Sequence, residues 1–291
     1  MNYRHHYHAG NFADVMKHAL LVQLVRGLQR KETGLLLLDS HAGRGGYDLA
    51  QAATGDSVAR APEHPDGIGR LEAAADLPAP LADYLNLVRA YQDRHRGTRP
   101  PADLPGLRFY PGSPWLLRLL ARPQDRLAFC ELHPEECEAL RLSLGRAPRQ
   151  TIQAMDGYRA LAALLPPPER RALVLIDPPF ESPREWAAVV GAVGEGLSRF
   201  PSGTYVIWYP VSERARTDAF FEGLTALELP PTLVAELLVN PAAAGLQGCG
   251  VVIVNPPWPF ENEAEAILRP LVPILGQHPR ADAGLRWLKP E

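Results

Sequence analysis

The sequence has little that would tie it to a membrane, an oxidising compartment or a metal. No apolar run approaches the roughly 18 residues that a membrane-spanning helix needs, and the first residues are polar and histidine-rich rather than a charged-then-apolar leader. Only three cysteines occur, Cys130, Cys137 and Cys249, at spacings that suit neither a zinc site nor a disulfide framework. A soluble protein in a reducing, cytoplasmic setting is the expectation. No metal is expected either, because the amino-terminal histidines lack partners that would complete a ligand set. Excess charge is also missing: Lys and Arg total 30 against 33 Asp and Glu, a net charge of -3. That balance counts against a non-specific nucleic-acid coat, which is usually strongly basic. An enzyme that seizes one nucleotide needs only a local basic patch. Arg89, Arg94, Arg96 and Arg99 gather in one stretch and fit either a solvated helix end or such a patch.

What is present is core-forming material, 46% hydrophobic over 291 residues, enough for one large or two modest cores. Short apolar runs at 35–38, 127–132, 151–156, 172–180, 204–210 and 251–258 read as strands. Helical spacing appears over 11–30, 134–144, 157–165, 184–199 and 213–225. The first of these helices is expected to bury one face, with Asn11 or Gly10 as its cap. Strand and helix alternate, which predicts a mostly parallel sheet covered on both faces. Residues 229–240 are expected to form an antiparallel hairpin with 250–254, because glycines and no helix separate them. Residues 53–107 hold no convincing strand but contain the helical stretch LADYLNLVRAYQDRHR. They are expected to be a helical insertion in a main domain formed by 1–52 and 108–291, hanging over the sheet edge where ligands bind in open α/β folds.

The chemistry-bearing residues fall at strand ends. Asp177-Pro178-Pro179-Phe180 closes an apolar strand, and two prolines cannot continue a hydrogen-bonded ladder. Asp177 is therefore expected at the strand's tip, with the Pro178 carbonyl as a second fixed acceptor. Two acceptors suit an exocyclic amine carrying two hydrogens, and Phe180 offers a face on which a base stacks for about 1–3 kcal/mol. The stretch from Asp39 to Gly46, with His41 and Gly43, is glycine-rich but lacks the GxGxxG spacing, which favours a cofactor without a pyrophosphate. Glu131 ends the next strand, placed to hold a ribose, and Asp156 with Gly157 ends the one after, placed to frame an adenine. Each acid alone could be an ordinary helix cap; Asp39, Glu131, Asp156 and Asp177 at four successive tips make a set. Near the amino terminus, Tyr3 and His5 are candidate stacking platforms, with Lys17 near an anionic group. The second proline pair, Asn255-Pro256-Pro257-Trp258, is expected to be structural or a pocket wall.

In these residues the chain resembles the Rossmann-like class of S-adenosylmethionine methyltransferases. More narrowly it resembles the bacterial family that methylates N6 of an adenine in 23S ribosomal RNA, through YRHHYHAGNFADVMKH, LDSHAGRGGYDL, FCELHP, MDGY, LIDPPFE and VNPPW in that order. The resemblance implies a seven-stranded sheet with a terminal antiparallel hairpin and S-adenosylmethionine as cofactor. It implies that Lys17, His18, His41 and Ser113 lie beside the cofactor, that Glu131 holds its ribose, and that Asp156 and Gly157 frame its adenine. Asp177 would approach the cofactor and bind the substrate amine, and Tyr3 would place the target base. The substrate implied is ribosomal RNA stripped of protein, acted on by a monomer with no obligate protein partner. Phe180 stands where adenine-N6 enzymes often carry Tyr, which keeps the stacking face and drops a hydroxyl. A DNA adenine methyltransferase, a protein glutamine methyltransferase and a catalytically silent assembly factor are the alternatives.

Overall fold

The computed structural model describes residues 7–52, 61–97 and 106–290. Tyr3, His5 and Arg99 lie outside the described residues. In chain order, α1 (Phe12–Leu28) leads into β1 (Leu36–Asp39), β2 (Gly46–Asp48) and the single turn α2 (Leu49–Ala52). A 3-10 turn at His64–Asp66, α3 (Ile68–Ala73) and α4 (Ala79–Arg96) precede β3 (Phe109–Pro111) and α5 (Ser113–Leu120). Strand and helix then alternate through β4 (Arg126–Glu131), α6 (Pro134–Leu144), β5 (Gln150–Ala154), α7 (Gly157–Leu164), β6 (Ala172–Ile176), α8 (Arg184–Arg199), β7 (Thr204–Val211) and α9 (Arg214–Thr225). Finally come β8 (Thr232–Leu238), β9 (Gly248–Val254), α10 (Phe260–Leu275) and β10 (Asp282–Lys289).

The main sheet has the order β10-β8-β9-β7-β6-β1-β4-β5. The five strands from β7 to β5 are mutually parallel, and β9 runs antiparallel to both β7 and β8. This is the expected mostly parallel Rossmann-like sheet with its antiparallel hairpin, but it has eight strands rather than seven. The additional strand, β10, pairs antiparallel with β8 at the sheet's edge. Its sequence DAGLRWLK escapes a search for apolar runs because an edge strand buries only part of each residue pair, here Ala283, Leu285 and Trp287 against the core. Helix α10 escapes the helical reading, since Pro270 and Pro273 lie inside it and prolines usually argue against a helix interior.

The period-2 alternation of β1 divides the protein into two cores. Leu35 and Leu37 join the side chains of α1, α4, α5 and α10, while Leu36 and Leu38 join those of α7, α8 and α9. Full burial contributes about 1.5–3 kcal/mol for each such leucine. Helix α1 is not the one-faced amphipathic helix that its spacing suggests. It is buried nearly all round from Phe12 to Val22, because it lies against the sheet with α4, α5 and α10 packed around its other sides. Its cap is Asn11, whose side chain accepts from the N–H groups of Ala13 and Asp14, each at 3.0 Å. Inside the 53–107 stretch, Leu81, Tyr84, Leu85 and Val88 of α4 belong to the same buried cluster as α1.

Candidate active site

The parallel strands carry their carboxyl ends to one edge, and the register brings the tips of β1 and β6 side by side, with Asp39 opposite Leu175. Asp177 follows β6 directly, its side chain 16% exposed. One oxygen, Oδ2, accepts from Lys17 Nζ at 2.5 Å. The other accepts no hydrogen bond among the described residues, and neither does the Pro178 carbonyl. Both expected acceptors are thus present, and the described residues leave both open. Phe180 adopts φ +51°, a left-handed conformation that costs an ordinary side chain energy and concentrates at functional sites. Its ring packs 4.6 Å from Trp186 and 5.8 Å from Trp208. Sequence reasoning misses these two tryptophans, although the buried indole nitrogen of Trp208 has no hydrogen-bond partner among the described residues.

Lys17 reaches Asp177 from α1 and also donates to Asp14 Oδ1 at 2.9 Å. Burial disfavours the ammonium, but Asp14 and Asp177 outweigh it and hold its pKa well above the ordinary lysine value. Sequence reasoning does not single out Asp14; an acid three residues before a core lysine is the signal that could have found it. His18 sits one layer behind, buried, with Nδ1 2.8 Å from the Tyr110 hydroxyl.

Around the β1 tip, Asp39 is fully buried and accepts from Ser113 Oγ at 2.7 Å. Ser40 Oγ donates to the Leu175 carbonyl at 2.8 Å and lies 2.8 Å from His41 Nδ1. A hydroxyl has one proton to give, so His41 donates from Nδ1 and keeps its Nε2 lone pair. Glu131 ties down the glycine-rich bend, accepting from the N–H of Gly43 at 2.8 Å and of His133 at 2.7 Å. Gly43 itself takes φ +58° there. Asp156 caps α7 through the Tyr158 N–H at 2.9 Å, the ordinary helix-cap role. At Gly157 a Cβ would lie 2.0 Å from the Ser40 carbonyl oxygen: the absent side chain makes room for the β1 loop.

The second proline pair belongs to the opposite edge. Because β9 is antiparallel, Asn255 lies beside the start of β7 rather than its end. Its amide donates to the Pro201 and Gly203 carbonyls, both at 2.8 Å, the structural role expected. Trp258 is 79% exposed and forms no wall of this site.

A family model described as Ribosomal RNA large subunit methyltransferase D, RlmJ, matches residues 32–289. The chain belongs to this family. Two proteins named Ribosomal RNA large subunit methyltransferase J, from Escherichia coli and Haemophilus influenzae, are 37% and 38% identical to it over 100% of both chains. Protein LPL1258 from Legionella pneumophila, a solved structure, is 33% identical, with a TM-score of 0.81 over 96% of this chain and 97% of that one.

In this member of the RlmJ family two site residues carry opposed pH dependences. Burial, with the Asp177 charge adding and the Ser113 hydrogen bond opposing, lifts Asp39 to about 7. Burial pushes His41 down to about 4. Asp39 therefore takes up a proton on folding from about pH 4 to 7, which lowers stability as pH rises through that window. His41 loses one from about pH 4 to 6.5, which raises stability there. Asp39→Asn removes the falling contribution, so the variant's Tm is expected to climb more steeply than the parent's between about pH 4.5 and 6.5. Parallel slopes in thermal unfolding would contradict this account of Asp39.

Proposed function

We propose that the chain transfers a methyl group from S-adenosylmethionine to N6 of a specific adenine in 23S ribosomal RNA free of protein. The observation that carries this reading is the pair of acceptors that the described residues leave open, Asp177 Oδ1 and the Pro178 carbonyl, beside the left-handed Phe180. Family membership supports a large-subunit ribosomal RNA substrate.

The residues fit the cofactor. Asp14 and Asp177 share the Lys17 ammonium, and the Asp177 carboxylate beside the β1 tip suits a sulfonium. Glu131 spends one lone pair of each oxygen on the loop, which leaves capacity for two ribose hydroxyls. Asp156 keeps one oxygen, and the half-buried His41 keeps Nε2, for the base. Ser113 sets Asp39, Gly43 shapes the bend, and Gly157 lets the β1 loop close on α7. Lys17 holds Asp177, with His18 behind it. S-adenosylmethionine supplies an electrophilic methyl group. The chain's own part is to bind a target adenine drawn out of its stack, grip its N6 hydrogens with Asp177 and Pro178, and orient the nitrogen. That amine is poorly basic because its lone pair is delocalised into the ring. Acceptors that strengthen as positive charge develops on the nitrogen favour the transition state over the ground state. Phe180 supplies the stacking face, and Tyr3 and His5 are the proposed placers of the base.

The test is incubation with labelled cofactor and separated ribosomal RNAs, alongside single-stranded DNA, followed by nucleoside mass spectrometry. N6-methyladenosine in the large RNA is expected; label confined to DNA, or to another atom, would overturn the reading.

RNA itself has a place to bind. Arg94 and Arg118 lie 5.3 and 5.7 Å from the Trp115 ring, and neither pairs with a carboxylate among the described residues. Burial, then Arg94, lowers the Arg118 pKa, as two cations do when crowded without an anion between them. We assign the anion to an RNA phosphate. The variant with Arg94→Gln and Arg118→Gln is expected to raise KM for RNA, with little change in kcat at saturating RNA. It should also reduce the salt slope of log affinity by about 1 for each phosphate that the variant no longer neutralises. An unchanged slope would remove this surface from the interface.

A further inference from the structure

Asp14 is not needed to hold any ligand in the reading above, yet it is the most connected buried acid in the site. Its Oδ2 accepts from the Gly10 N–H at 2.9 Å and its Oδ1 from Lys17 at 2.9 Å. His18 Nε2 lies 3.9 Å from Oδ1, ion-pair range rather than a hydrogen bond. From His18 the polar chain continues to Tyr110 at 2.8 Å and on to Tyr84 of α4, a further 2.7 Å. The backbone makes a second link: the Gly10 carbonyl accepts from Ile68 N–H at 2.8 Å. At Gly67 a Cβ would lie 2.1 Å from that carbonyl, so the close approach requires glycine. In the other direction Lys17 joins Asp14 to Asp177.

From this continuity, and resting on the proposed function, we infer that Asp14 is a positioning residue for Asp177. We infer too that α3, α4 and β3 reach the catalytic carboxylate through it. The physical ground is the sharing of one ammonium between two carboxylates away from water. With Asp14 charged, part of the Lys17 field is spent on it. Asp177 stays a strong acceptor for the amine while Lys17 is held in one geometry. With Asp14 neutral, Lys17 falls wholly on Asp177, competing with the amine, and loses its second anchor. The Gly10–Ile68 link and the His18, Tyr110 and Tyr84 contacts keep Asp14 in register with α3 and α4.

The test compares Asp14→Asn, Tyr84→Phe and the double variant. It measures kcat, KM for cofactor and RNA, and the number of S-adenosylhomocysteine sites by calorimetry, so that unfolded protein is not mistaken for slow protein. Asp14→Asn is expected to lower kcat per binding site about 10- to 100-fold, the weight of one hydrogen bond to a charged group, with both KM values little changed. Tyr84→Phe should give a smaller fall with the same split, and the double variant should be no slower than Asp14→Asn alone. An unchanged kcat per site, a loss explained by missing sites, or additive effects would overturn the inference. A separate arm needs no substrate. Asp14→Asn and Asp177→Asn are expected to be non-additive in denaturant unfolding, by about fivefold or more in the equilibrium constant. Additivity there would overturn the inference even if the parent methylates 23S ribosomal RNA. Coupling in a parent that methylates nothing would sink only the proposed function.

Discussion

Asp177→Ala is expected to slow methyl transfer by about a hundred- to a thousandfold, the scale of removing one preorganised electrostatic group aimed at developing charge. Cofactor affinity should move far less. The reason for the split is local. Lys17 keeps Asp14 as a partner when Asp177 is lost, so the buried cation is not orphaned and the fold around the cofactor's residues stands. What disappears is the oxygen that grips the amine and strengthens its hold as the nitrogen becomes positive. Single-turnover transfer of a labelled methyl group, with calorimetric titration of cofactor in parallel, measures both halves. Turnover close to the parent's would end the assignment of Asp177, whatever the binding data showed.

Lys17→Met should have the largest effect on stability, about 3–5 kcal/mol at neutral pH, the range for breaking a buried ion pair by deleting one partner. Asp14 and Asp177, with side chains 3% and 16% exposed, would lose the ammonium they share. Burial and mutual repulsion then penalise both charged carboxylates relative to the unfolded chain, a penalty that protonation relieves. Carboxylates penalised in the folded state lose stability as pH rises past the unfolded pKa. The deficit relative to the parent is therefore greatest near pH 7 and shrinks toward about pH 4. Denaturant unfolding at pH 7 and pH 5 reads this directly. A deficit independent of pH would mean that the methionine costs packing and that the charges were not what Lys17 held.

The positions most legible in the sequence are those where local chemistry leaves few options. Pro178 and Pro179 end a strand wherever it lies, because neither can donate to a ladder, and Asp177 lies at the tip as expected. Helices α6 and α8 begin and end where their spacing predicts. The failures occur where the environment of an element, rather than its own pattern, sets its character. Helix α1 looks one-faced because Lys17, His18 and Asp14 read as its polar side, but those residues are buried and paired with one another and with Asp177. Strand β10 looks like loop because its partner β8 supplies the burial its own sequence lacks. Asn255-Pro256-Pro257-Trp258 resembles the Asp177 loop almost letter for letter, and only the direction of β9 sends it to the far edge.

The sequence alone was enough to determine the parallel α/β sheet, the acids at its strand tips and the family to which the chain belongs. Those follow from periodicity, proline chemistry and short motifs, all of them local. Tertiary structure decided which acid meets which cation. Asp14 and Asp177 lie at opposite ends of the first two-thirds of the chain, and no pattern along it says that one lysine serves both. That pairing exists because α1 packs against the sheet with Lys17 reaching the residue that follows β6, and charges removed from water find their partners in space rather than along the chain.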